Sequence, residues 1–113
     1  MAFQRVADAD SLPVGHALFA DLDEPVCVVR LDDGLVKAVH DTCSHQEYSL
    51  HEGWVEENAI ECSLHGSMFD LDTGKPESLP AVRPIPVYAA KIDADGIWVD
   101  IGQQLNDAPV PRH

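Results

Sequence analysis

Two short motifs, each pairing a thiol with an imidazole, constrain this 113-residue chain more than any other feature. The first is Cys43-Ser44-His45, and the second is Cys62-Ser63-Leu64-His65, with residues 46 to 61 between them. Thiolates and neutral imidazoles are ligands that proteins use for zinc and for iron. The sequence therefore predicts one metal centre, with Cys43, His45, Cys62 and His65 as its ligands.

The order of the ligands distinguishes two kinds of centre. Zinc sites with two cysteines and two histidines usually place the cysteines together and the histidines together. Here each motif holds one of each, which is the arrangement of a Rieske [2Fe–2S] centre, where two cysteines hold one iron and two histidines the other. A zinc-stapled binding module without a redox role stays open as the alternative.

The sequence resembles the Rieske iron–sulfur family, and specifically its small ferredoxins, over residues 3 to 101. Besides the two ligand motifs, the resemblance rests on Gly66, Phe69-Asp70 and Thr73-Gly74. It implies a fold of stacked antiparallel sheets, with one [2Fe–2S] cluster held by two loops at one tip. It also implies that the stretch from Pro80 to Pro86 lies over the cluster. Residues next to the cluster are then Ser67, Gly66 and Pro80.

Two positions separate this chain from the respiratory and photosynthetic members of the family. Those proteins carry an extra cysteine in each motif, and the two are joined as a disulfide. Tyr48 and Leu64 occupy these positions here. Ser67 matches a serine of the high-potential members, whereas Phe69 replaces their tyrosine. We therefore expect a reduction potential near the bottom of the Rieske range of about −150 to +300 mV, raised slightly by Ser67.

The resemblance implies an electron carrier rather than an enzyme. Its donor would be a flavin-containing NAD(P)H reductase, and its acceptor the terminal oxygenase of an aromatic-degradation system. Two alternatives remain open, a ferredoxin that serves iron–sulfur cluster assembly and the small subunit of a nitrite reductase. The terminal oxygenase itself is not expected, since no two histidines and a carboxylate group together for a second iron.

Charge and composition narrow the partners further. With 20 acidic residues against 7 Lys and Arg, the net charge is −13, which disfavours nucleic acid and anionic membranes as partners. A cytoplasmic protein is expected, because the start of the sequence resembles no signal peptide and no apolar run reaches about 18 residues. The acids between the two motifs could steer the protein toward basic partners; they are Glu47, Glu52, Glu56, Glu57 and Glu61.

Periodicity predicts an all-β fold without long helices. Hairpins are expected for residues 26–31 with 35–40, and for residues 87–92 with 97–101, around Asp-Gly turns. Between Glu52 and Glu57 there is room for one helical turn, and the proline-rich residues 74–86 predict a stiff loop. Residues 1–101 are interpreted as a single domain, and residues 102–113 as a tail that is ordered only if it lies along the body.

The remaining candidates have simpler structural interpretations. Cys27 lies between valines and is expected to be a buried small hydrophobe rather than a reactive thiol. His40 and His51 are expected at the surface and not among the ligands. Trp54 and Trp98 are expected to pack in the core or against a sheet.

Overall fold

The computed structural model describes residues 3–22, 24–32, 34–42, 50–56, 58–61, 68–76, 84–106 and 108. Within them the chain forms short strands and two single-turn 3-10 helices, and no α-helix. In chain order these are β1 Gln4–Ala7, η1 Ala9–Ser11, β2 Ala17–Asp21, β3 Pro25–Asp32, β4 Leu35–His40, η2 Leu50–Glu52, β5 Trp54–Glu56, β6 Ala59–Glu61, β7 Met68–Asp70, β8 Val87–Asp93 and β9 Gly96–Gln104.

Both predicted hairpins are present. β3 pairs with β4 in antiparallel register from Val26–His40 to Asp32–Leu35. β8 pairs with β9 down to the Asp93–Gly96 turn. Turn residues such as Asp and Gly between β-branched runs specify these hairpins locally, which is why the sequence predicts them.

The strands form two antiparallel sheets. The larger has six strands in the order β1-β9-β8-β4-β3-β2, and the smaller has the order β5-β6-β7. Together they confirm the predicted all-β class. The strands of the small sheet have three residues each, so packing against the large sheet must stabilise it.

β3 is buried on both faces and contributes to two apolar cores. Cys27 and Val29 point into the core between the two sheets. Val26 and Val28 point to the opposite face, into a core shared with β4, β8 and β9. A strand that is covered on both faces has a continuous apolar sequence, and β3 has such a sequence from Val26 to Val29.

Burial confirms one expectation about single residues and overturns two. Cys27 is fully buried, as expected. Trp54 was expected to pack in the core or on a sheet, but it is 59% exposed, because β5 is an edge strand. His40 was expected at the surface and is 2% exposed; its backbone N–H donates to the carbonyl oxygen of Pro86, and its ring contacts Glu24. Trp98 is half-buried on β9, where its indole N–H donates to Asp93 at 3.1 Å.

The segment around Glu52 and the residues after Ile101 are more ordered than their sequences suggest. The helical turn comes earlier than expected, at Leu50–Glu52, and residues 54–56 are a strand that pairs with β6. β9 continues past Ile101 to Gln104. Asn106 binds three backbone groups, and Ala108 is 7% exposed. Residues 102–106 therefore lie along the body, while the division into 1–101 and 102–113 stays a prediction.

Candidate metal centre

The predicted ligands and their neighbours fall outside the described residues. These are Cys43, His45, Cys62, His65, Gly66, Ser67 and Pro80. The structure instead describes the residues on either side of three segments, 43–49, 62–67 and 77–83. Where these flanking residues lie decides whether the segments can reach a common centre.

Thr42 and Leu50 are the described residues on either side of segment 43–49. The Leu50 N–H donates to the carbonyl oxygen of Asp41 at 2.6 Å. One short hydrogen bond therefore joins the two sides of the segment that holds Cys43 and His45.

Segment 62–67 lies between two paired strands. Glu61 ends β6 and Met68 begins β7, and these two residues are register partners. The segment that holds Cys62 and His65 therefore starts and ends at neighbouring positions of the small sheet.

Gly53 brings the first two segments together. A Cβ placed on Gly53 would lie 1.7 Å from the Glu61 carbonyl oxygen and 3.3 Å from that of Leu50. Only glycine allows the backbone after the first segment to approach the backbone before the second this closely. No signal in the sequence marks this role of Gly53.

Segment 77–83 lies within the proline-rich residues 74–86, and it is flanked by residues at the same end of the molecule. Pro76 forms a bridge with Phe69, next to Met68. On the other side, the carbonyl oxygen of Pro86 accepts the N–H of His40 at 2.9 Å, two residues before Thr42. Contacts among the flanking residues thus connect all three segments.

A single apolar core anchors the same flanking residues. Leu50, Ile60, Phe69 and Ile85 are fully buried and belong to the core between the sheets. Each lies within two residues of an undescribed segment. This apolar packing holds the residues that flank the segments in place.

Asp41 is the most constrained polar residue at this end of the molecule. Its side chain is 2% exposed, and its carboxylate accepts the N–H of His51 at 2.8 Å and contacts His51 Nδ1 at 2.6 Å. Burial raises the pKa of Asp41, and the contacts with His51 and His40 oppose that rise. His51, interpreted from the sequence as a surface residue, is partly buried here. Its ring packs at a tilt against the ring of Phe19, with the two ring centroids 5.0 Å apart.

His40 supports the start of the first segment. Its Nδ1 accepts the N–H of Thr42 at 3.2 Å, so the ring proton of a neutral His40 lies on Nε2. Nε2 contacts the carboxylate of Glu24 at 3.3 Å. Burial and, to a smaller extent, the charge of Glu24 raise the pKa of Tyr88 to about 12.

The donor chemistry fits an iron–sulfur cluster. A centre that takes one thiolate and one imidazole from each of two segments requires that the residues flanking the two segments lie close together. The described flanks of 43–49 and 62–67 meet this requirement through Leu50, Gly53 and Glu61. Cys43, His45, Cys62 and His65 could therefore hold such a cluster.

A family model described as the Rieske [2Fe-2S] domain matches residues 2–89. The chain belongs to the Rieske [2Fe–2S] family. The resemblance found in the sequence is thereby confirmed, and membership supports a Rieske-type iron–sulfur cluster.

Comparison with individual Rieske proteins points to the ferredoxins. The chain is 35% identical over 102 residues to the ferredoxin component of biphenyl 2,3-dioxygenase from Rhodococcus jostii RHA1, covering 89% of this chain and 94% of the relative. The carbazole 1,9a-dioxygenase ferredoxin from Nocardioides aromaticivorans IC177 matches with a TM-score of 0.81 and 38% identity, covering 88% and 97%.

A second structure contains a related ferredoxin with its partner. It is the complex of reduced oxygenase and oxidised ferredoxin in carbazole 1,9a-dioxygenase, with a TM-score of 0.81 and 30% identity, covering 90% of this chain and 94% of that one. The relatives are named as ferredoxin components, which are electron carriers rather than catalytic oxygenases. In the described part of this Rieske chain, no helix is long and apolar enough to cross a membrane.

Proposed function

We propose that this protein carries single electrons from a flavin-containing NAD(P)H reductase to the terminal oxygenase of an aromatic-degradation system. The observation that carries the proposal is similarity along almost the whole chain to ferredoxin components of aromatic dioxygenases. The related ferredoxin in complex with its oxygenase supports the choice of acceptor. The proposal places the carrier in the cytoplasm, where free thiols such as Cys27 stay reduced.

In this proposal Cys43 and Cys62 bind one iron, and His45 and His65 bind the other. When bound, the [2Fe–2S] cluster supplies a reversible one-electron couple whose potential is raised by the two neutral imidazole ligands. Ser67, Gly66 and Pro80 are proposed to lie next to the cluster. All seven assignments come from the sequence and its family resemblance.

The described residues have two tasks in this function. Leu50, Ile60 and Phe69 form a water-excluding base, which favours a stable cluster geometry. Asp41 and Gly53 join the flanks of the two ligand-bearing segments through the contacts given above. Neither task requires a group that binds or transforms a substrate.

Substitution of the ligands tests the cluster assignment. We expect Cys43→Ser, Cys62→Ser, His45→Ala and His65→Ala each to abolish the Rieske EPR signal. His65→Cys should lower the potential if a cluster still assembles, because a thiolate replaces a neutral ligand. Exposed His16 provides a control, and His16→Ala should keep the signal. A full signal in any of the four ligand variants would contradict the assignment.

Reconstitution tests the proposed partners. The purified protein would be combined with NADH and with the reductase and terminal oxygenase of a biphenyl dioxygenase system. Oxidised product should form only when the protein is present and contains iron and sulfide. A protein that the reductase reduces but that supports no oxygenase would favour the cluster-assembly alternative. A protein that holds zinc and no iron would contradict the electron-transfer function.

A further inference from the structure

Asp41 accepts three hydrogen bonds from the two residues that follow segment 43–49. Its backbone carbonyl accepts the Leu50 N–H at 2.6 Å, and Oδ1 accepts the His51 N–H at 2.8 Å. The third contact joins Oδ2 to His51 Nδ1 at 2.6 Å. A single residue thus holds the chain on both sides of the segment that carries Cys43 and His45.

Both partners of this contact are themselves held in place. The N–H of Asp41 donates to the carbonyl oxygen of Pro25 at 2.9 Å, which fixes Asp41 to the start of β3. Leu50 is fully buried in the core between the sheets. The His51 ring is 29% exposed and stacks on Phe19 of β2. Rigid supports on both sides leave the spacing between Asp41 and His51 little freedom.

We infer that Asp41 and His51 are positioning residues for the cluster, because their contact closes the segment that carries Cys43 and His45. The inference rests on the proposed function. The pair acts through the backbone on either side of the segment, and the bonds to the cluster come from other residues. Residues that orient metal ligands tune both the retention of the metal and its potential.

An Ala and an Asn variant at each of the two positions distinguish an effect on the position of the cluster from an effect on the stability of the fold. Asp41→Ala removes both side-chain contacts, and His51→Ala removes one of them. Asp41→Asn keeps an acceptor for the His51 N–H and offers an amide donor to Nδ1, whereas His51→Asn offers a donor close to the position of Nδ1. His51→Ala is the variant most certain to fold, since its side chain is partly exposed.

Asp100 provides a matched control. It is also 2% exposed, and its carboxylate accepts from Gly102 N at 2.9 Å and Gln103 Nε2 at 3.0 Å. It lies on β9, which β8 separates from β4. Asp100→Ala therefore removes a buried carboxylate with two hydrogen bonds at a position two strands from Asp41.

The readouts are the EPR g-values, the midpoint potential, the rate of cluster loss and the amide exchange of Leu50 and His51. In Asp41→Ala and His51→Ala we expect altered g-values, a shifted potential and faster exchange of both amides. Loss of cluster absorbance should be about tenfold faster in Asp41→Ala, the equivalent of one charged hydrogen bond. The two Asn variants should lie close to the wild type, and Asp100→Ala should change only the melting temperature.

Three results would overturn the inference. The first is wild-type g-values and potential in Asp41→Ala or, if that variant does not fold, in His51→Ala. The second is an equal change in Asp100→Ala, and the third is a change in Asp41→Asn as large as in Asp41→Ala. Failure of the proposed function is distinguishable from all three, because it would show in the wild-type protein, which would then lack the Rieske signal or fail to support the oxygenase.

Discussion

His40, Asp41 and Asp100 are the polar side chains that the described part of the chain buries almost completely, each at 2% exposure. Buried polar groups are costly unless they are hydrogen-bonded, and all three have partners. Two of the three, His40 and Asp41, lie within three residues of Cys43 in the sequence. At the level of single residues, the buried polar groups of the described part of the chain are concentrated where segment 43–49 begins.

Tyr88 allows a direct test of this end of the large sheet by pH. Its pKa is about 12, chiefly through burial and then through Glu24, against an ordinary value of 10. Between these values the unfolded chain loses the proton first, so the free energy of unfolding should fall as pH rises from 10 to 12. Urea unfolding of the wild type and Tyr88→Phe checks this, because the variant should lack that part of the decline. Parallel pH profiles for the two proteins would contradict it.

Single-residue environments near the centre could be predicted from the sequence only in part. The burial of Cys27 follows from its local run of valines. The backbone N–H of His40 donates to Pro86, which lies 46 residues away, so the sequence around His40 gives no sign of its burial. Asp41 and His51 meet across segment 43–49 for the same reason. Such contacts come from tertiary packing and have no local pattern.

Gly53 shows how closely the elements around the centre approach one another. The backbone of Glu61 at the end of β6 leaves no room for a side chain at this position. We expect Gly53→Ala to lower the free energy of unfolding by about 3 kcal/mol and to reduce the iron content, because β5 or η2 must move away from β6. Chemical denaturation and iron analysis would measure both effects.

Gly34 in the β3–β4 turn is the control for Gly53. No atom lies within 4 Å of a Cβ built there, so Gly34→Ala should change stability by at most about 0.5 kcal/mol. Equal stabilities of Gly53→Ala and Gly34→Ala would show that the approach of β6 to Gly53 is wider than the structure indicates.

Asn106 joins the end of β9 to the loop before β8. Its side chain accepts the Val87 N–H at 3.0 Å and donates to the carbonyl oxygens of Thr73 and Ile85, each at 2.8 Å. Asn106→Ala should lower the free energy of unfolding by about 1–3 kcal/mol, because the Val87 N–H loses its acceptor. In denaturation experiments Asn106→Asp should be no more stable than Asn106→Ala, since its carboxylate would face the carbonyl oxygens of Thr73 and Ile85. An Asp variant as stable as the wild type would refute this role.

Whether a strand could be predicted from the sequence depends on how close along the chain the residues that specify it lie. The two long hairpins could be predicted because each has its turn chemistry next to its strands. The small sheet could not, since three-residue strands such as β5 carry too little periodicity. The continuation of β9 to Gln104 also went unpredicted. Residues 102–104 have no apolar pattern that would predict a strand. The strand continues there because Gln104 pairs with Tyr88 of β8.

At the scale of the whole molecule, the net charge of −13 should control encounter with the partners. If the reductase and oxygenase present basic surfaces, electron transfer will slow as salt screens the attraction. Glu52, exposed in η2 next to segment 43–49, should contribute more than exposed Asp95, which lies beyond the other end of β8. Glu52→Gln should therefore slow reduction severalfold at low salt, and Asp95→Asn should not. Stopped-flow rates that do not depend on ionic strength would refute steering.

We propose that this Rieske chain carries an electron on a cluster held by Cys43, His45, Cys62 and His65. An EPR-monitored redox titration of the purified protein tests it most directly. We expect a Rieske-type spectrum that appears with one electron per chain, at a potential near the low end of about −150 to +300 mV. A protein that contains zinc and gives no signal on reduction would contradict the claim.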